Sequence, residues 1–135
     1  LITGVRWQPD GAAKGALLLF HQAGSNLGEY APIGPRLARL GYDVTAIDQR
    51  SGGNAYGRAN ATVAARGRTS GFLAALPDLE AALADARQRL PGKPAVVVGS
   101  SYSAALVFLL AAAHPSDVAA IIAFSPGEYL SGVSV

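Results

Sequence analysis

Five consecutive residues, Gly99-Ser100-Ser101-Tyr102-Ser103, carry the pattern in this chain best suited to chemistry. They follow the apolar run Ala95–Val98 and open a second apolar segment, so Ser101 falls where a strand turns sharply into a helix. Such a turn helps a nucleophile in two ways. It lifts the serine Oγ out at the carboxyl end of the strand, and it aims the next helix's first N–H groups at charge developing on a substrate oxygen. The backbone packs so closely there that small residues are needed two before and two after the serine. Gly99 meets that need, and Ser103 stands where a second glycine is usual. Read more plainly, the same segment is a strand-to-helix turn with a serine N-cap.

The elements that must position this turn follow from the rest of the pattern. Four apolar runs, Ala16–Phe20, Val44–Ile47, Ala95–Val98 and Val118–Phe124, are β-branched or leucine-rich and do not alternate with polar residues. Runs of that kind suit strands buried on both faces. Leu1–Gln8 reads as a further strand, joined to the first run through the Pro9-Asp10-Gly11 turn. Three segments between the runs have helical spacing. Tyr30, Ile33, Leu37 and Leu40 form the first, with Gly41 placed to end it. Leu79, Leu83, Ala86 and Leu90 form the second, from near Pro77-Asp78 to Pro91-Gly92. The third runs from about Tyr102 to His114 and is apolar nearly all round, which requires burial. Strands alternating with helices predict a mostly parallel α/β sheet with right-handed crossovers. Ser51–Ser70 shows no period and reads as a long loop rich in Gly, Asn and Arg.

Composition narrows the classes. The chain has 135 residues, half of them hydrophobic and 15% charged, which excludes disorder and fits one domain or part of one. No cysteine is present, so disulfides, thiolate metal sites and a cysteine nucleophile are excluded. The net charge is +2, and nine of the eleven cations are Arg. Arg50, Arg58, Arg66 and Arg68 cluster in one stretch with only Tyr56 interleaved, a weak footprint for nucleic acid. The longest apolar run, Ala104–Ala113, is half of the ~20 residues a membrane span needs. No methionine stands at position 1, so the expectation is an excerpted chain, with any leader outside it and its compartment left open. Asn60-Ala61-Thr62 fits the glycosylation tripeptide, a pattern frequent by chance.

A second loop joins the first in one resemblance. Leu17-Leu18-Leu19-Phe20-His21-Gln22-Ala23-Gly24-Ser25-Asn26 is an apolar strand followed by small residues. Together with the Ser101 turn it resembles the α/β-hydrolase superfamily, in which a strand ends in His-Gly-x-Gly. The resemblance continues in Leu40-Gly41-Tyr42, in Asp48-Gln49-Arg50-Ser51-Gly52, in His114-Pro115 and in Val118–Pro126, in the family's order. The small, lid-poor, dienelactone-hydrolase-like or general esterase branch looks nearest. The resemblance implies a three-layer fold of which residues 1–135 supply about the amino-terminal two-thirds, ending before the last strands. It also implies a serine hydrolase acting on a small carboxylic ester, thioester or lactone, with no metal and no organic cofactor. Ser101 would be the nucleophile, Tyr102 would give one oxyanion amide and Ala23 the other, with Gln22 as second choice. Gln22 departs from the family's usual glycine.

The remaining triad members are expected elsewhere. His21 ends a strand and matches a structural position of the family, while His114 lies one helix away from Ser101, about 18 Å along its axis. The family's order places the acid and then the histidine after the serine, so both are expected beyond Val135. Glu128 sits where a minority of the family place their acid, or it is a plain loop carboxylate. Asp48 and Arg50 read as a structural pair, and the Arg-bearing loop as a possible anchor for a substrate carboxylate. Two other readings compete. A non-catalytic hydrolase-like scaffold is favoured by Ser103 and Gln22, and a nucleotide-binding domain is disfavoured because no phosphate-binding glycine motif follows a strand.

Overall fold

Strands β1 (Gly4–Trp7), β2 (Ala16–Phe20), β3 (Asp43–Ile47), β4 (Ala95–Ser100) and β5 (Ala120–Phe124) build one sheet in the computed structural model, which describes residues 1–135. Their order across the sheet is β1-β3-β2-β4-β5. β1 runs antiparallel to β3, and every other pairing is parallel. All five predicted strands are present, and the sheet is the mostly parallel one the alternation requires.

The continuous apolar runs have the expected cause. Ala16, Leu18 and Phe20 of β2 enter the larger core, whereas Leu17 and Leu19 enter a smaller one on the opposite face. Helices α3 (Leu76–Arg89) and α4 (Tyr102–Ala113) close the larger core through Leu79, Leu83, Leu106 and Leu110. The other face is covered by Tyr30, from the 3-10 turn Leu27–Tyr30, and by Ala38 of α1 (Gly34–Arg39). A strand packed on both sides has no solvent face for polar residues to alternate onto. β5 differs: it is one edge of the sheet, β1 being the other, and its Ile122 and Phe124 are exposed.

Two sequence expectations need correction. The first helix is divided into a 3-10 turn and the short α1, with Pro32 between the two and Pro35 in the first turn of α1. Gly34, the first residue of α1, must be glycine because a Cβ there would run into the Trp7 ring. The stretch Ser51–Ser70 is not a bare loop either, since it contains α2 (Ala61–Arg66). Asn60 caps that helix, its Oδ1 accepting the Val63 N–H at 2.9 Å. The same buried side chain donates to the Gln49 and Ser25 carbonyls. Asn60 is therefore a cap and a loop fastener, which leaves no exposed amide for a glycan.

Candidate active site

Ser101 stands alone between β4 and α4 with φ +57 and ψ −121, in the left-handed region that side chains other than glycine rarely adopt. Its N–H donates to the Phe124 carbonyl and its own carbonyl accepts from Ala104, both at 2.9 Å. A Cβ on Gly99 would lie 2.2 Å from the Ser103 carbonyl oxygen, so glycine is required there. The expected strained turn is present at the expected residue.

Sheet register brings the second loop beside it. Phe20 pairs with Gly99, so the chain leaving β2 at His21 emerges next to the turn leaving β4. The Gln22 N–H donates to a carboxylate oxygen of Glu29 at 2.8 Å. Next to it, exposed Ala23 has an amide with no partner within the protein, and Gly24 turns the chain away with φ +66. Tyr102 is the first residue of α4, where the helix itself offers its N–H no acceptor. The Ala23 and Tyr102 amides are thus free, while the Gln22 amide is taken.

A buried polar network joins the two loops from below. The His21 N–H donates to Gln49 Oε1 and the Gln49 N–H donates back to His21 Nε2, both at 2.9 Å. Nε2 being an acceptor, Nδ1 carries the proton and donates to the Gln22 carbonyl at 2.8 Å. Gln49 Nε2 donates to the Tyr102 hydroxyl at 2.6 Å and to Ser103 Oγ at 2.9 Å. Ser103 Oγ in turn donates to the His21 carbonyl at 2.6 Å, and the Tyr102 hydroxyl also meets Ser51 Oγ. Burial pushes the Tyr102 phenol up to about 12 and holds the His21 imidazole below its ordinary value, so both stay neutral. Ser103 is more than a tolerated small residue. Its hydroxyl ties α4 to the loop that follows β2.

The charged residues pair differently from the expectation. Asp48 does not pair with Arg50. It accepts from both terminal nitrogens of Arg58, at 2.9 and 3.1 Å, and from the Leu27 and Ala61 amides at 2.8 Å. Arg50 reaches across to Asp78 on α3 instead, through Nε at 2.9 Å and Nη2 at 2.6 Å. The loop cations nearest the site are therefore neutralised by buried carboxylates, which removes Arg50 and Arg58 as free anchors for a substrate carboxylate. Glu128 is exposed and accepts only from Ser134 Oγ at 3.1 Å. His114 closes the far end of α4 with Nε2 2.8 Å from Glu80. Sequence reasoning missed the parts that Glu29, Gln49 and Asp78 play. Gln49 and Asp78 stood in stretches it singled out, the segment after β3 and the start of the second helix, but nothing there signalled these contacts. No group of three or more acidic or histidine side chains is placed to hold a metal ion. No helix is long and apolar enough to cross a membrane.

The fold has known counterparts. The model of the serine aminopeptidase S33 family matches residues 11–131. The chain belongs to that family of α/β hydrolases. A monoacylglycerol lipase of Mycolicibacterium smegmatis is 26% identical over 127 residues, aligned with 89% of this chain and 40% of the lipase. Among solved structures, a thermostable carboxyl esterase from Bacillus coagulans superposes with a TM-score of 0.73 at 16% identity, over 89% of this chain and 38% of the esterase. An α/β serine hydrolase homologue from Coxiella burnetii gives 0.69 at 18% identity, over 97% of this chain and 60% of that one. The chain thus spans about 40% of the length of the curated relative it matches.

Proposed function

We propose that the protein containing this chain hydrolyses a carboxylic ester, or a thioester or lactone, through an acyl-serine intermediate on Ser101. The observation carrying this reading is the +57 φ of Ser101, with the Tyr102 amide next to it free and the Ala23 amide free on the loop that leaves the neighbouring strand. Ser101 Oγ attacks the carbonyl carbon, and the Ala23 and Tyr102 N–H groups hold the oxygen as it becomes negative. Glu29 already occupies the Gln22 amide, which favours Ala23 over Gln22 for this task. Both nitrogens of His21 are engaged and His114 lies at the other end of α4, so a histidine outside residues 1–135 takes the serine proton. A carboxylate, also outside them, orients that histidine. Glu128 is not favoured, since its one partner is Ser134. Ser103 and Gln22, which favour a scaffold by their types alone, sit here in a built site. That context supports the enzyme reading.

The test uses the full-length protein and a fluorophosphonate probe, which phosphonylates an activated serine. Wild type should be labelled, and Ser101→Ala should be unlabelled with an unchanged circular dichroism spectrum. Labelling that survives in Ser101→Ala would move the nucleophile to another serine and end this reading.

A further inference from the structure

Tyr56 and Gly57 form the two-residue loop of a tight hairpin in which Ala55 and Arg58 exchange N–H···O bonds of 3.1 Å. Both loop residues have positive φ, +54 and +70. Such loops suit Asn-Gly, because a bulky side chain at positive φ is strained. Burial does not compensate Tyr56, whose exposure is 58%. Yet the hairpin is firmly mounted. Asn26 Nδ2 donates to the carbonyls of Gly53, Ala55 and Arg58 at 3.0–3.3 Å, and Arg58 is locked on Asp48. The mounting sets Tyr56 against the oxyanion-side loop. Gln22 Nε2 lies 3.4 Å from the Tyr56 hydroxyl, and a Cβ on Gly28 would lie 3.3 Å from the Tyr56 Cβ. A strained, exposed aromatic ring fixed next to the residue that precedes Ala23 serves no packing purpose in the fold.

We propose that Tyr56 is a substrate-contacting residue whose ring receives the apolar part of the ester. The proposal rests on the Ser101 reading and adds a specificity element to it. An aromatic face beside the oxyanion side offers apolar area to a chain attached to the scissile carbonyl, while its hydroxyl stays on Gln22.

The experiment measures kcat and KM of the full-length protein with 4-nitrophenyl acetate, butyrate and octanoate, and with acetates of lengthening alcohols. Tyr56→Asn should raise KM for the longest member of one series by about tenfold, leaving ethyl acetate, which is short on both sides of the carbonyl, within about twofold. The same variant should raise Tm, because Asn tolerates positive φ. Tyr56→Phe should keep the wild-type KM pattern. Unchanged KM across both series in Tyr56→Asn would overturn the proposal, and so would a lowered Tm, which would make the ring a packing element. A Tyr56→Phe that behaves like Tyr56→Asn would also overturn it, since the hydroxyl and not the ring would then be the contact. Ser101→Ala run alongside separates the two readings. Activity surviving in Ser101→Ala defeats the nucleophile assignment, whereas a flat Tyr56→Asn profile with inactive Ser101→Ala defeats only the Tyr56 proposal.

Discussion

His21 is the side chain whose ionisation the fold resists most directly. Protonating Nε2 would set a second donor against the Gln49 N–H, and burial removes the water that would stabilise the cation. Its folded pKa therefore lies below the ordinary 6.5. The sign follows: the stability linked to His21 is fully present above the unfolded pKa and is lost as pH falls through it toward the folded one. Glu29 acts with the opposite sign, because burial raises its pKa and its cost is relieved as pH falls. Unfolding free energies from urea titrations between pH 7.5 and 5.5 should fall by up to about 1.4 kcal/mol per pH unit in wild type. His21→Gln should be less stable at pH 7.5 and show a flatter slope. An unchanged slope in that variant would assign the pH dependence to other groups.

At the scale of elements, Asp48 joins four segments with one carboxylate. It holds the start of the 3-10 turn at Leu27, the first amide of α2 at Ala61, the hairpin through Arg58 and, by its own chain position, the end of β3. Asp48→Asn keeps the size but loses the charge and replaces one acceptor by a donor facing N–H groups. The expected loss is about 3 kcal/mol in a denaturant titration, with the loops after β2 and β3 gaining amide hydrogen exchange ahead of β4. A loss below about 1 kcal/mol would show that the neighbouring loop bonds hold these elements without it. The pairing also explains a sequence-level error. Asp48 and Arg50 are two apart at a strand end and look like partners, but the chain continues away from the strand and presents them to different neighbours, Arg58 and Asp78.

For the molecule as a unit, the two imidazoles decide what residues 1–135 do by themselves. Neither is offered to Ser101, because His21 is saturated by backbone partners and His114 faces Glu80. Purified 135-residue chain should therefore give no Ser101-dependent hydrolysis of 4-nitrophenyl acetate, since a serine hydroxyl without a base is a poor nucleophile. Turnover that Ser101→Ala abolishes would place a base inside these residues. The same sheet leaves β5 as an open edge, with Phe124 58% exposed. Sedimentation of this chain should accordingly show concentration-dependent association.

Local rules alone determined the strands, the helices α3 and α4, the turn at Ser101 and the loop after His21. Each depends on residues adjacent in sequence: an apolar run long enough to be buried, a glycine where no Cβ fits, a serine at a sharp reversal. The short α2 escaped because six residues, Ala61–Arg66, are too few for a period to emerge. The partners of the site were decided only by the tertiary structure. Gln49 is 54 residues from Ser103, Arg50 is 28 from Asp78, and Glu29 meets the Gln22 amide only because a 3-10 turn folds it back. No spacing encodes such pairs, since each contact depends on how two loops leave neighbouring strands of one sheet and on which polar groups are then denied water.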